Sequence, residues 1–407
     1  MNSIFKKTLI AVSCSAALFL TACNDDKDDS QPISYQNFVS ETAYNKDSIE
    51  GARPVSVMTY KMPNVKGESA KATAMVMFPK TTKPKDGWRV VVWEHGTVGI
   101  GDSCAPSNNA YNPRFKKMAE SLLKEGFVIV APDYEGLGTA GIHPYLNLGS
   151  EAKSAIYAMK AVKERYGADI QGAWMSVGQS QGGHGSLGTA EYANDDTNYK
   201  GAVAGAPASS LGFIITKVAP VAINQLVQAG KIEQAVDVYA ELLAYAAYTT
   251  VGIKAYDPRF YYQAMFKGNS QQIAAYAEGS TGDNGLCLSD LEAKFKADIQ
   301  NFLATSKDKS VMDYPALVEN FDQDPTVKKF LEDNQPATKK INSPVMIIQG
   351  EADMAVPHDV TTGLQNRLIN LGTKVTYLEV AGASHTQAIV EKNPELVAFI
   401  KQHMPAQ

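Results

Sequence analysis

The segment AWMSVGQSQGGHG, residues 173–185, contains a serine that could act as a nucleophile. Ser180 lies at the centre of GQSQG, directly after an apolar run. A strand that ends in GxSxG and precedes a small-residue helix holds the central serine in a tight turn above the carboxyl edge of a sheet. The bare pattern is common, and a polar residue in a chance glycine turn is the alternative. Whether Ser180 is a nucleophile therefore depends on whether the chain also supplies a base, an acid and oxyanion donors.

A serine hydroxyl needs a base to take its proton and a carboxylate to orient that base. In this fold the chain order is serine, acid, histidine. His385, in VAGASHTQ, follows the last apolar run in a turn of small residues, and we predict that it is the base. The other five histidines precede Ser180 or lie in a predicted helix, at a helix start or in the C-terminal tail: His95, His143, His184, His358 and His403.

The acid is expected just after the strand that precedes His385. PVMIIQGEADMAVP contains Glu351 and Asp353, and we favour Asp353 because it lies deeper in the loop and can reach the next turn. Glu351 is the first alternative, and Asp359 and Glu379 are more distant ones.

Acyl transfer also needs hydrogen-bond donors that face the developing oxyanion. The backbone N–H of Gln181, directly after the serine, is one predicted donor. The second is expected from the loop after the third strand, HGTVGIG, where Thr97 N–H is the candidate. We expect His95 to support that loop by hydrogen bonding.

These residues require a sheet that brings several strand ends to one edge. β-rich runs alternate with helical patterns from the third strand onward, which predicts an α/β fold with a mostly parallel, eight-stranded sheet covered by helices on both faces. The eight runs lie at about 55–61, 70–78, 89–95, 127–132, 173–178, 200–206, 344–349 and 374–380.

The interval 211–340 is too long for a structureless loop in a compact domain, so we predict that it forms a helical cap. The predicted core is then 51–210 together with 341–407. Seven cap aromatics could line a pocket for an acyl chain, although at helical spacing they more often form a core of their own: Tyr239, Tyr245, Tyr248, Tyr256, Phe260, Tyr261 and Tyr262.

The N-terminus has the features of an export signal. Lys6 and Lys7 precede a short apolar run, which predicts a signal peptide over residues 1–22. LTAC, ending at Cys23, resembles the bacterial lipoprotein lipobox, which implies a mature chain with a lipid on Cys23. A plain signal peptide is the alternative. Residues 23–50 are predicted to be a flexible tether, and Asn24 after the cysteine favours the outer membrane by resemblance to proteobacterial lipoproteins.

Export leaves an even number of unmodified cysteines. Of the four cysteines in the chain, Cys14 leaves with the signal and Cys23 carries lipid, so that Cys104 and Cys287 remain. In an oxidising compartment we predict that they are bridged, with two free thiols as the alternative.

Charge and motifs exclude other classes of function. The formal net charge is −5, and no basic run follows residue 7, so no nucleic-acid partner is expected. GLGTAG, residues 136–141, matches GxGxxG, but Pro144 stands where the helix of a dinucleotide site should begin. There is no HExxH or paired CxxC, so neither a cofactor nor a metal is predicted.

Seven motifs in this order resemble the secretory lipase family of α/β-hydrolases: WEHGTVG, CAPS, APDYEGLG, HPYL, GQSQGG, GAPA and GEADMAVP. The resemblance covers about 89–390. It implies a helical lid after the sixth core strand, hydrolysis of carboxylic esters such as acylglycerols, and a triad of Ser180, Asp353 and His385. In such relatives a disulfide can tie the core to the lid region, which suits Cys104 and Cys287.

Together these features predict a lipid-anchored serine esterase or lipase that acts on a small-molecule or lipid ester through an acyl-enzyme. A peptidase or acyltransferase on the same scaffold is the nearest alternative, but no backbone-binding group or charged specificity residue can be assigned. A non-catalytic binding protein with this fold is the other alternative. The complete Ser-Asp-His set, in the correct order, argues against it.

Overall fold

A computed structural model describes residues 36–406 of the chain, except for the side chain of Gln171. It contains one nine-stranded sheet with the strand order β1-β2-β3-β5-β4-β6-β7-β8-β9. The strands are β1 (Phe38–Ala43), β2 (Ser56–Pro63), β3 (Ser69–Met77), β4 (Trp88–Glu94), β5 (Val128–Pro132), β6 (Ile170–Gln179), β7 (Tyr199–Gly205), β8 (Val345–Gly350) and β9 (Val375–Val380).

All eight predicted strands are present, but the prediction of an eight-stranded sheet was wrong by one strand. The additional strand is β1, which pairs antiparallel with β2 at the edge of the sheet and lies within the predicted tether. Its sequence, FVSETA, has only a few apolar residues, and none of its residues is fully buried. Pairing with β2 stabilises this edge strand, and a search for apolar runs therefore misses it.

The strands that carry the site are parallel. β1, β2, β3 and β5 form an antiparallel part at one side of the sheet, whereas β5, β4, β6, β7, β8 and β9 pair parallel in that order. Every residue of β4 and β8 is buried. Such continuous burial is typical of parallel strands that are covered on both faces, and it places the ends of β4, β6, β8 and β9 at one edge.

Six helices cover the two faces of the sheet. One apolar layer contains residues of α2, α3 and α10, and the opposite layer contains residues of α1, α11 and α12. In α1, Phe115, Met118, Ala119 and Leu122 recur at helical spacing and are buried. The helices are α1 (Pro113–Lys124), α2 (Leu148–Tyr166), α3 (Gln181–Tyr192), α10 (His358–Asn370), α11 (Gln387–Glu391) and α12 (Asn393–His403).

The chain between β7 and β8 is helical and has its own apolar cluster. We call it the cap. Its helices are α4 (Leu211–Phe213), α5 (Ala219–Gln228), α6 (Ile232–Tyr256), α7 (Gly268–Ala275), α8 (Leu288–Thr305) and α9 (Pro325–Asp333). The helical stretch Leu211–Gln228 is the one described helix that is long and apolar enough to cross a membrane by length and composition, and 11% of it is buried.

The predicted signal peptide over 1–22 and the predicted lipid site at Cys23 lie outside the described residues. Of the predicted tether over 23–50, the described part begins at residue 36. Its first residues are fastened to α2, because the carboxylate of Glu164 accepts hydrogen bonds from the backbone N–H groups of Asn37 (2.7 Å) and Phe38 (2.9 Å).

Candidate active site

Ser180 occupies a sharp turn between β6 and α3. Its backbone has φ 60° and ψ −117°, in the positive-φ region that residues other than glycine rarely adopt. The turn is fastened on both sides: Ser180 N–H donates to Gly205 O (2.8 Å), and Ser180 O accepts from His184 N–H (3.0 Å). The turn therefore holds the serine in a strained conformation just above the carboxyl end of its strand.

The two glycines of the GxSxG motif allow a close approach of backbone to backbone. A Cβ atom at Gly178 would lie 2.1 Å from Gly182 O, and one at Gly182 would lie 1.8 Å from Glu94 O. Both separations are far below contact distance. Glycine is therefore required at both positions, and the motif is a packing requirement of this turn.

Ser180, His385 and Asp353 are joined by two hydrogen bonds. His385 Nε2 accepts a hydrogen bond from Ser180 Oγ (2.8 Å), and His385 Nδ1 donates one to Asp353 Oδ2 (2.8 Å). The aspartate follows β8 and the histidine follows β9, so three strand ends of the parallel sheet supply the three side chains. Asp353 is buried and His385 is largely buried.

Both carboxylate oxygens of Asp353 accept hydrogen bonds. Oδ1 accepts from the backbone N–H groups of Ala355 (2.9 Å) and Val356 (2.8 Å), and Oδ2 accepts from His385 and from Gln349 Nε2 (3.0 Å). Four donors around one carboxylate fix its orientation. Asp353 therefore holds the imidazole of His385 with Nδ1 protonated and Nε2 free to accept a proton.

The structure does not bring the other candidate acids to His385. Glu379 accepts a hydrogen bond from His358 Nε2 (2.9 Å), and Asp359 lies beside the same histidine (3.5 Å). Glu351 is exposed, and the contact described for it is a backbone hydrogen bond to Val380 O. His358 thus forms a separate cluster with two of the alternative acids.

The loop after β4, which carries Thr97, is held by hydrogen bonds from several directions. His95 Nδ1 donates to Gly96 O (2.7 Å), and Tyr134 Oη donates to His95 O (3.0 Å). Burial lowers the pKa of His95, so its ring is neutral and serves this loop as a hydrogen-bond donor. The Thr97 hydroxyl is 2.6 Å from Tyr145 Oη.

Contacts from the cap also hold the loop that carries Thr97. Cys104 and Cys287 form a disulfide, with Cα atoms 5.4 Å apart. Leu288 N–H donates to Val98 O (2.9 Å), and Gly99 pairs with Cys287 in an isolated antiparallel bridge. The first residues of α8 therefore hold the loop that carries Thr97.

Gln181, whose backbone N–H is the other predicted oxyanion donor, lies at the start of α3. The first four N–H groups of a helix have no acceptor within the helix, so Gln181 N–H is available to a ligand beside Ser180. The Gln181 side chain points away into a buried polar network: its Nε2 donates to Glu151 Oε1 (3.0 Å) and to His143 Nε2 (3.0 Å). This anchor fixes the first turn of the helix.

Charges in that buried network are arranged beneath the serine turn. His184 donates from Nδ1 to Glu151 Oε2 and from Nε2 to Asn334 O (2.8 Å). Burial by itself lowers the pKa of His184, but the charge of Glu151 and these hydrogen bonds raise it overall, which favours an imidazolium whose two N–H groups both have acceptors. Burial lowers the pKa of His143 to about 3, and its ring is neutral.

Glu94, whose backbone oxygen touches the Gly182 position, is a buried acid without a cationic partner among the described residues. Burial raises its pKa well above the usual range, the hydrogen bond from Thr189 opposes this shift, and the charge of Glu151 adds to it. The carboxyl group is therefore neutral. It packs against Gly185, where a Cβ atom would lie 2.4 Å from its Oε2.

A cavity of about 500 Å³ opens at Ser180 and His385. Its wall includes Thr97 in the loop after β4, the cysteines of the disulfide, residues of α1 and α11, and Glu241 and Tyr245 from α6 of the cap. This volume is within the range that holds a small organic ligand. A bound molecule can therefore touch the serine, the histidine and the Thr97 loop at once.

Three residues of the site were not identified from the sequence. Gln179 Nε2 donates to His385 O (3.0 Å), Gln349 donates to Asp353, and Tyr145 contacts Thr97. Gln179 and Gln349 are polar residues at the ends of otherwise apolar strands, which is a signal that could have been used. Tyr145 carries no such signal, because it follows no strand directly.

Among the described residues, no group of three or more histidine, cysteine, aspartate or glutamate side chains is placed to hold a metal ion. The site itself offers the hydroxyl of Ser180, hydrogen-bonded to the imidazole of His385, and the backbone N–H of Gln181 at the start of α3.

Comparison with known proteins identifies the fold. No family model and no curated protein matches the sequence. Solved structures do match, each over about 90% of this chain. An esterase of Xanthomonas oryzae described as degrading the rice cell wall has a TM-score of 0.64, 16% identity and 98% of its own chain covered. A hydrolase of Legionella pneumophila described as putative has a TM-score of 0.64, 16% identity and 99% coverage. Lipase A of Candida antarctica in its closed state has a TM-score of 0.65, 15% identity and 81% coverage. The chain thus has the α/β-hydrolase fold, with nine strands and a helical insertion.

Proposed function

We propose that this protein is a serine hydrolase that cleaves carboxylic esters, with Ser180, His385 and Asp353 as its catalytic residues. The proposal rests on one observation above all: His385 accepts from Ser180 Oγ and donates to Asp353, both at 2.8 Å. A serine in a strained turn, a base within reach and a carboxylate behind it are the parts that acyl transfer requires.

In the proposed reaction, His385 Nε2 takes the hydroxyl proton while Ser180 Oγ attacks the carbonyl carbon of the ester. The carbonyl oxygen becomes an oxyanion, and the N–H groups of Thr97 and Gln181 stabilise it. The imidazolium then gives its proton to the leaving alcohol, and an acyl-serine remains. A water molecule, deprotonated by the same imidazole, releases the acid and restores the serine.

Esters, rather than peptides, are the proposed substrates because the deep wall of the cavity is apolar. Its lining includes the buried apolar side chains of Met75, Trp93, Phe115 and Met118. The similar structures include a cell-wall-degrading esterase and a lipase, and the motifs listed above resemble the secretory lipase family. We propose acylglycerols or other short- to medium-chain esters as the substrate class.

The test is hydrolysis of p-nitrophenyl butyrate by the wild type and by Ser180→Ala. Loss of the nucleophile is expected to lower kcat about 10⁶-fold if the triad acts as a unit. Ser306→Ala, at the end of α8 and outside the cavity, is the matched control and should retain wild-type activity. Equal activity of wild type and Ser180→Ala would overturn the proposal.

We also propose that the mature protein begins at Cys23, carries a lipid there and is held at the bacterial outer membrane. This part of the proposal rests on the sequence of residues 1–24. The mass of the N-terminal peptide from native protein tests it, because an unmodified cysteine or a different first residue would contradict it.

A further inference from the structure

We infer that the acyl chain of the substrate binds between α1 and the sheet, and not among the aromatic residues of the cap. This inference rests on the proposed ester hydrolysis at Ser180 and specifies where the chain lies and how long it can be. The space is the inner part of the cavity described above. We call it the acyl pocket, and we define it by the buried apolar residues among those that line the cavity, which include Met75, Trp93, Phe115, Met118, Ala131 and Ile389.

The floor of the acyl pocket is a row of side chains across three neighbouring strands. Met75 of β3 is directly opposite Ala131 of β5. Val92 of β4 pairs with Val130 of β5, so the next residue, Trp93, lies beside Ala131. All three belong to the apolar layer on the face of the sheet that α1 covers. The small side chain of Ala131, between a methionine and a tryptophan, leaves space in the middle of this row.

The side walls are helices, and both present apolar side chains. Phe115 and Met118 of α1 are buried on one side, and Ile389 and Val390 of α11 lie on the other. Because α11 follows His385 by only a few residues, the pocket leads away directly from the catalytic residues.

Charged residues line the cavity at its mouth. Arg114 and Lys117 lie one turn apart on the exposed side of α1, and Glu241 lies on α6 of the cap. An apolar chain therefore gains by entering the deep end, while the polar ester group remains near Ser180.

The register of the sheet sets the length of the chain. Trp93 is paired with Val177, which precedes Ser180 by three residues. At about 3.3 Å per residue, the row lies roughly 10 Å from the serine along the strands. An extended chain with bonds of about 1.5 Å advances roughly 1.3 Å per carbon. The pocket thus accepts an acyl chain of roughly eight carbons.

The aromatic residues of the cap do not provide an equivalent space. Of the seven that the sequence offered as candidates, Tyr245 is the one among the residues that line the cavity. Tyr248 and Tyr262 are buried in the cap's own cluster, and Tyr256 and Tyr261 are exposed. These residues mostly stabilise the cap.

The inference is tested by filling the pocket. Ala131→Leu places three more carbons on the floor, and Val390→Trp narrows the wall at a half-buried position. Ala264→Leu makes the same change as the first variant, but at an exposed site of the cap. For each protein, kcat/KM is measured with p-nitrophenyl esters from acetate to palmitate, and folding is checked by thermal unfolding.

The wild type is expected to prefer octanoate, with a gain of up to about fourfold per methylene from acetate onward. Since a leucine at position 131 displaces three or four methylenes, the octanoate-to-acetate ratio of kcat/KM should fall about 10²-fold in Ala131→Leu. The ratio should fall in the same direction in Val390→Trp and stay within threefold of wild type in Ala264→Leu. If Ala131→Leu does not fold, Val390→Trp decides. Folded variants that keep the wild-type ratio overturn the inference.

A measurement without turnover separates this inference from the proposed function. Methyl octanoate is titrated calorimetrically into Ser180→Ala and into the double variant Ser180→Ala, Ala131→Leu. Binding that weakens at least tenfold in the double variant supports the acyl pocket. This holds even if the wild type hydrolyses no ester, a result that would overturn only the proposed function. Equal binding to both proteins overturns the acyl pocket and leaves ester hydrolysis to be judged on Ser180→Ala alone.

Discussion

Replacement of Asp353 by asparagine tests the proposed role of this residue sharply, because the structure assigns an acceptor role to both of its oxygens. One oxygen accepts from two backbone N–H groups, and the other accepts from His385 and Gln349. An amide retains one oxygen and presents an NH2 group in place of the other. In either orientation, two of the four donors therefore lose their acceptor.

The expected losses follow from this count. Two buried donors without acceptors cost about 1–3 kcal/mol each, so Asp353→Asn should lower the free energy of unfolding by about 2–6 kcal/mol. We expect the amide oxygen to stay with the two backbone N–H groups and the NH2 group to face His385. Nδ1 must then accept a hydrogen bond and Nε2 carries the proton, so the imidazole cannot act as a base. A wrong tautomer of this kind typically costs about 10⁴-fold in kcat, which corresponds to about 5.5 kcal/mol.

The assay is kcat with p-nitrophenyl butyrate, combined with thermal unfolding to show that the variant is folded at the assay temperature. Glu351→Gln is the matched control, since this exposed carboxylate lies in the same loop, two residues earlier. It should keep wild-type kcat. A folded Asp353→Asn protein with kcat within tenfold of wild type would refute the reasoning, and a large loss in Glu351→Gln would move the role of the acid to that residue.

Two further predictions concern the framework around the site. Gly182→Ala places a Cβ atom 1.8 Å from Glu94 O and should destabilise the fold by about 3 kcal/mol or more. Gly363→Ala lies in the middle of α10, where the added Cβ atom meets no neighbouring group within 4 Å, and should stabilise the fold by about 0.5–1 kcal/mol. Equal melting temperatures of the two variants would contradict this. Burial raises the pKa of Asp133 to about 6, against the hydrogen bonds from Ser107 and Thr73, which lower it. Because the folded protein retains this proton up to about pH 6 and the unfolded chain releases it near pH 4, the contribution of Asp133 to stability is present below pH 4 and is lost as the pH rises to 6, by about 3 kcal/mol. Asp133→Asn does not titrate, so its stability relative to wild type should rise by about that amount between pH 4 and 7.5 in urea unfolding. A constant difference would show that the raised pKa is wrong.

Much of the architecture was predictable because the parallel strands are buried on both faces. Burial of both faces demands continuous apolar runs, such as VMIIQG in β8, and these are visible in the sequence without knowledge of their neighbours. The order of strands and helices then predicted the α/β fold. β1 escaped this reasoning because an edge strand that faces solvent needs no apolar pattern and is held by backbone pairing with β2.

The residues of the site, like the strands, were predictable only where a local pattern in the sequence specifies them. The chemistry of Ser180 could be proposed from local sequence, because the glycines at 178 and 182 answer a steric need within a few residues of the chain. The cysteine pair was also predictable, because Cys104 and Cys287 were the two thiols that remained once Cys14 and Cys23 were assigned to the predicted export signal, and the structure confirms their disulfide. The choice among Asp353, Glu351, Asp359 and Glu379 was an inference from loop position, and the sequence by itself left all four open.

Only the tertiary structure decided which carboxylate faces His385 and where an acyl chain has room. Both depend on register: parallel pairing of β8 and β9 brings Asp353 to the histidine, and the pairing of β3, β5 and β4 sets Met75, Ala131 and Trp93 side by side. A hydrogen bond or a cavity arises from distances between residues far apart in the chain. The sequence by itself determined the strands, the turn and the candidate side chains, whereas packing determined which of them meet.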